Sequence, residues 1–328
     1  MKKLFIAMYH YTRDLAHSRY PRIKGLDYRL FEQQLLFFKE NFHVVTMEDV
    51  LAVMENGGVI HDNALLLTFD DGYIDNFTVA LPLLRKYGMQ GSFFIPGKTF
   101  AENALLDVNK IHFILASAPE KELKDDLLQL LNQHRGDASF GFPSNEELYE
   151  RYAVPNRFDS GDVVFVKRVL QTAIPEETRS KIASVLFKKY VGLSESDFSR
   201  ELYMNRDQIR CLKENGMFIG LHGYDHYWLG NLSQEEMERD IGMALEVMDE
   251  FIDRDRWVMN YPYGNYNEGV LEYIAGHGCG MGLTTEARVA DLEEDDRYRI
   301  PRLDCNDFPP KSGRYLEWIR GDRKEREV

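Results

Sequence analysis

Two short stretches carry side chains that could do chemistry together. "TFDDG", residues 68–72, sets Asp70 and Asp71 side by side, and "HGYDH", residues 222–226, sets His222 and His226 four residues apart. Two imidazoles at that spacing can face one ion. With one of the carboxylates they make an Asp/His/His set with an open position, the donor set by which a catalytic Zn²⁺ holds a reactive water. The other carboxylate could then take a proton. The same residues have plainer uses, since Asp-Gly after a strand commonly forms a turn or a helix N-cap, and two loop histidines can simply face solvent. The spacing is not that of a zincin helix, because Gly223 stands where HExxH has its glutamate.

The elements around these motifs decide whether they can meet. "ALLLTF" before Asp70 and "MFIGLH" up to His222 read as buried strands, and ligand sites of parallel α/β folds gather where such strands end. Successive strand residues point to opposite faces, so two adjacent carboxylates can share a site only if the chain leaves strand geometry there; Gly72 would help it do so. Further strands are predicted at "LFIAMY", "GSFFIP", "WVMNYP" and "GMGLTT". Helical periods fall between them, as in "DYRLFEQQLLFFKENF" and in "SQEEMERDIGMALEVMDEF", which opens with a capping box from Ser233 to Glu236. This alternation predicts a mostly parallel sheet or barrel with outer helices. Residues 101–205 interrupt it with charged helical segments such as "KELKDDLLQLLNQH" and "EETRSKIASVLFKKY", and read as an insertion broken near "HRGDASFGFPS". The predicted organisation is one barrel domain over 1–320, the insertion within it, and a frayed charged tail at 321–328.

Composition narrows the partners. The chain has 328 residues, 44% of them hydrophobic, and a formal charge of −14, which disfavours nucleic acid and anionic membrane surfaces. Three cysteines, Cys211, Cys279 and Cys305, fit neither a disulfide framework nor a CxxC site. "MKKLFIAMYHY" reads as a first strand rather than a leader, and no run reaches the roughly 20 apolar residues of a membrane span. A cytoplasmic location is the expectation from these features.

"TFDDG", "HGYDH" and "YPYG", in this order, resemble the polysaccharide deacetylases of the NodB-homology class, carbohydrate esterase family four, over the whole chain except the insertion. The resemblance implies a distorted (β/α)7-type barrel, here with a mainly helical insertion, and metal-dependent removal of N- or O-acetyl groups from sugars. It implies Asp70 as general base and Asp71, His222 and His226 as ligands of one divalent transition metal, Zn²⁺ foremost, with Co²⁺, Ni²⁺ or Mn²⁺ as alternatives. Tyr263 takes the place of the tyrosine whose backbone N–H helps hold the oxyanion. Two positions depart from the pattern. Asn260 stands where the family has an arginine that orients the base, and Arg302 in "RIPRLDCND" is the candidate replacement, with a surface ion pair as its plainer role. The Leu-x-His that supplies the acid is absent from "GMGLTTEARVADL". His277 is expected to end a helix, whereas His10, closing the first strand, could line the site as acid or substrate contact, or pack at the rim.

The expected substrate is an N-acetylated sugar or glycan intermediate, as in capsule, O-antigen or glycoconjugate biosynthesis. Aromatic residues of the insertion, Phe140, Phe142, Tyr149 and Tyr152, could stack on sugars or form the insertion's own core. Two other functions fit the same residues: a metal-dependent amidohydrolase on a small non-sugar amide, and an inactive glycan-binding barrel.

Overall fold

The computed structural model describes residues 3–135, 141–156 and 159–320. The predicted tail at 321–328, and Phe140, lie outside the described residues. The chain divides into two compact units. One comprises the residues up to Asp14, Gly25–Ala104 and those from Arg200 on; the other comprises Leu15–Lys24 and Leu105–Ser199.

The first unit is built on a nine-stranded sheet whose strands are β1 (Lys3–Tyr9), β2 (His43–Val44), β3 (Ala64–Phe69), β4 (Ser92–Ile95), β5 (Phe218–Leu221), β6 (Trp257–Asn260), β7 (Cys279–Leu283), β8 (Ala290–Asp291) and β9 (Leu303–Asp304). Their order is β8-β1-β3-β4-β5-β6-β7, with β9 added to β1 and β2 to β3. Every pairing is parallel except β1 with β8. The sheet curls, and the segment before β9 links its two ends. Ile300 bridges Leu283 at the end of β7, and three residues later Leu303 pairs with Ala7 of β1. This is the mostly parallel α/β sheet that the alternating pattern predicts, curled as the distorted barrel that the family resemblance implies, and among the described residues no helix is long and apolar enough to cross a membrane.

Central strands of such a sheet are covered on both faces, so they read as continuous apolar runs rather than alternating ones. β3 shows this directly. Leu65, Leu67 and Phe69 enter one buried cluster, with Phe5, Ala7 and Tyr9 of β1, while Ala64 and Leu66 enter another, with Leu4, Ile6, Val258 and Met281. The outer helices lock onto the sheet through their own signals. Tyr28–Asn41 is capped by Asp27 and buries Phe31, Leu35 and Phe38, an i, i+4, i+7 stripe. Gln234–Met248 carries the predicted Ser233–Glu236 capping box.

The second unit is helical. Glu120–Arg135 buries Leu123, Leu127 and Leu131 on one face, Glu176–Tyr190 buries Ile182, Leu186 and Phe187, and Asp107–Ser117 buries Phe113 among others. Leu15–Lys24 belongs here too, through Arg22, whose Nε donates to the Ala116 carbonyl at 2.9 Å, and through the Tyr20 ring edge-on to Phe113. No periodicity in the sequence separates this short piece from the barrel. Tyr149 packs edge-on against Phe165 and donates to Asp162 at 2.6 Å, and the Arg135 guanidinium lies over the Phe142 ring. Tyr149 and Phe142 thus take part in the unit's own packing.

Candidate metal centre and its partner carboxylate

The site lies at the carboxyl ends of β3, β5 and β6, and all three strands leave extended geometry in the same way. Asp71 and Gly72 after β3, Gly223 and His226 after β5, and Tyr263 and Gly264 after β6 all have φ between 57° and 72°. For Asp71, His226 and Tyr263 this left-handed conformation costs on the order of 1 kcal/mol each, and such residues collect at functional sites. Gly72 is required on two counts, since its φ is 67° and an added Cβ would come within 2.8 Å of Ile95 Cγ2.

The turn resolves how adjacent carboxylates serve one place. Asp70 keeps strand register, its N–H donating to the Tyr9 carbonyl at 2.9 Å, so its side chain continues the face of Thr68 two residues before. Asp71 has left the strand and swings toward the β5 loop. Its Oδ1 lies 3.3 Å from His222 Nε2 and 3.2 Å from His226 Nε2. One ligand atom from each of the three side chains fits within 4.8 Å of the others.

His222 Nδ1 lies 2.6 Å from the Asn260 carbonyl oxygen, which can only accept, so Nδ1 donates there and Nε2 is the ring nitrogen turned toward Asp71. Burial lowers the His226 pKa, which favours the neutral ring despite the neighbouring Asp71. Asp71 Oδ1 is buried and receives no hydrogen bond. Burial would raise the Asp71 carboxyl, but the two imidazoles outweigh it and hold it well below the usual carboxylate range. A buried carboxylate oxygen facing two imidazole nitrogens is the arrangement a divalent cation completes, and the N/O donor set suits Zn²⁺ and its first-row neighbours. The Asp71 Oδ2 atom accepts from Tyr73 Oη at 2.5 Å.

Asp70 has a different partner. Arg302, 1% exposed, donates from Nη1 to Asp70 Oδ1 at 2.8 Å and from Nη2 to Oδ2 at 2.9 Å, a two-pronged ion pair. The guanidinium is itself fixed. Nε donates to the Thr284 carbonyl at 2.9 Å, Nη1 to Thr68 Oγ1 at 3.1 Å, and Nη2 to Asn260 Oδ1 at 2.8 Å. Burial pushes the Asp70 pKa up, but Arg302 more than compensates and the net shift is downward. His10 Nε2 stands 3.8 Å from Asp70 Oδ2, with the ring 42% exposed.

Around this pair, Tyr263 stacks on Trp228 with centroids 4.4 Å apart and meets the His226 ring edge-on at 4.7 Å. Asp240, on the helix after the histidine loop, accepts from the Tyr224 and Asp225 N–H groups at 2.9 and 3.0 Å and so pins that loop; burial raises its pKa to about 6.

A family model described as "Polysaccharide deacetylase" matches residues 58–140 and 157–282. The chain belongs to that family. It is therefore a hydrolase of the carbohydrate esterase class, and glycan deacetylation is the activity the family supports. A Bacillus subtilis (strain 168) protein, YxkH, whose name assigns it provisionally to the polysaccharide deacetylases, is 19% identical over 89% of this chain and 68% of its own length. Among solved structures, the Streptococcus pyogenes deacetylase PplD, in complex with acetate, has a TM-score of 0.56 at 18% identity, covering 96% of both chains. IcaB from Ammonifex degensii has a TM-score of 0.55 at 16% identity, again with 96% of both chains covered. These structural likenesses establish the shared fold.

The structure thus brings Asp70, Asp71, His222, His226, Tyr263, Arg302 and His10 to one end of the barrel. The matched segments include the first five of these and leave out His10 and Arg302, which flank the match on either side. His277 is elsewhere: it caps the helix Glu268–Gly276, its Nδ1 2.6 Å from the Tyr273 carbonyl oxygen. Sequence reasoning passed over Tyr73 and Asp240, and treated Asn260 only as a lost arginine. Asn260 in fact joins the two carboxylates' surroundings, its carbonyl on His222 and its side chain on Arg302. The single legible hint was Tyr73, two residues beyond Asp71 in the same turn.

Proposed function

We propose that this protein is a metal-dependent deacetylase that hydrolyses an N-acetyl group of a sugar or glycan intermediate, with Asp71, His222 and His226 holding one divalent ion, Zn²⁺ foremost. The observation that carries the reading is the buried Asp71 Oδ1, 3.2 and 3.3 Å from two imidazole nitrogens, beside a second carboxylate clamped by Arg302. When bound, the ion supplies Lewis acidity, which makes water more acidic and polarises the acetyl carbonyl.

The chain's own groups do the rest. Asp70, kept ionised by Arg302, takes the proton from the attacking water; each of its oxygens retains a lone pair after the Arg302 bonds. The Tyr263 backbone N–H donates to the carbonyl oxygen as charge develops on it. His10, exposed and 3.8 Å from Asp70, delivers a proton to the leaving nitrogen as the C–N bond breaks, filling the role left open by the absent Leu-x-His. Products are acetate and a free amine.

Acetate release from a panel of N-acetylated sugars and nucleotide-sugars, beside simple amides, tests this. Turnover of an acetylated sugar that chelator abolishes and added Zn²⁺ restores is expected. Turnover of simple amides alone would instead identify an amidohydrolase, and chelator-insensitive turnover would reject the metal.

A further inference from the structure

We propose that Tyr73 is a positioning residue that selects which Asp71 oxygen faces the metal pocket and so sets the pocket's affinity for its ion. The inference rests on the metal reading above. A carboxylate offers two equivalent oxygens, and a ligand free to rotate or to offer both would blur the site. Here the two are made unequal: Oδ2 accepts from the Tyr73 hydroxyl at 2.5 Å, leaving Oδ1 as the atom between the imidazoles. A hydrogen-bonded outer partner of this kind fixes a ligand's orientation.

The phenol is held so that it can impose this choice. Tyr73 is fully buried, and its ring stacks on Tyr11, with centroids 4.0 Å apart and planes at 17°. A second ring, Tyr203, lies near-parallel to it at 6.1 Å. The backbone is tied as well, by a bridge between Tyr73 and Tyr203 and by Met204 N–H donating to the Gly72 carbonyl at 3.0 Å. Asp71, with φ of 72°, sits in a conformation that other restraints must enforce, and the Tyr73 hydroxyl is one of them. The turn after β3 therefore contributes a ligand at its first residue and the group that aims it at its third.

The test uses Co²⁺ as probe, read by its visible absorption, in wild type, Tyr73→Phe, Tyr9→Phe and His222→Ala. Tyr73→Phe keeps the stacked ring and removes the hydroxyl that donates to Asp71. Tyr9→Phe removes another buried hydroxyl, one that donates to Gln34 at 2.8 Å, and controls for generic loss of a buried bond. Expected are one ion per wild-type chain, about tenfold weaker binding with an altered absorption band in Tyr73→Phe, wild-type binding in Tyr9→Phe, and none in His222→Ala. Thermal melts of the metal-free proteins separate this from misfolding, because a variant that melts like Tyr9→Phe yet binds weakly has lost orientation alone. Unchanged affinity and band in Tyr73→Phe would overturn the inference while leaving the metal reading intact. Absence of binding by wild type would overturn both.

Discussion

Asp70 sits against a guanidinium and Asp71 against two imidazoles and a phenol, although one peptide bond separates them. The first environment is cationic and assembled from afar: Arg302 arrives from the segment that closes the barrel, and His10 from the end of β1. The second is built largely from two short motifs, each contained in a single strand-end turn. The left-handed turn at Asp71 makes the separation possible, because a continued strand would have placed the two side chains on opposite faces of the sheet. The difference teaches how one dipeptide can carry two functions. A proton acceptor needs a charge beside it that keeps it ionised, whereas a metal ligand needs further donor atoms converging on the same point.

If this division of labour holds, the two halves fail differently. The largest effect is expected for Asp70→Asn, which should lower acetate release by about 10²–10⁴-fold, the usual worth of a general base, with ion binding retained; turnover assays beside metal titration decide it. Retained turnover would remove Asp70 as base.

Arg302→Met should act on the Asp70 half alone. It strands a buried carboxylate, so urea unfolding at neutral pH is expected to show a loss of roughly 3–5 kcal/mol. The pH dependence has a definite sign. In wild type the Asp70 pKa is depressed, so its stabilising contribution is present above the unfolded carboxylate value and lost as pH falls through the lower folded value. Without Arg302, burial meets only the smaller opposing pull of His10 and His222, and the pKa rises. The acid limb of the pH–rate profile should therefore move upward, and an unmoved limb would mean another cation tunes Asp70.

How much of this was legible follows the same line. The ligand set could be read because Asp71, His222 and His226 lie in two local motifs bounded by apolar strand runs, and β3 could be read because both its faces are buried. Arg302 could be suspected only from the vacancy at Asn260, since nothing in "RIPRLDCND" reveals that Ile300 bridges Leu283 and carries the next residues across the barrel's closure. The assignment of Leu15–Lys24 to the helical unit was hidden for a related reason: ten residues without a period depend on tertiary contacts for their place.

Two smaller effects sharpen the comparison. His10→Asn should lower turnover about 100-fold, the low end for an acid catalyst because solvent reaches the ring, and should spare both stability and ion binding; turnover within a few-fold of wild type would return His10 to the barrel rim. Asn260→Ala cuts the side-chain link to Arg302 while keeping the carbonyl on His222. A stability loss of about 1–2 kcal/mol with less than a tenfold change in turnover is expected from chemical unfolding and kinetics. A loss as large as that of Arg302→Met would show that Asn260 is no mere buttress.

The most direct test of the account is the metal content of the purified, reconstituted protein, measured in wild type, His222→Ala and Asp70→Asn. The account predicts about one transition-metal ion per chain in wild type and in Asp70→Asn, and loss of the ion in His222→Ala. No ion in wild type, or an ion undisturbed by His222→Ala, would contradict it.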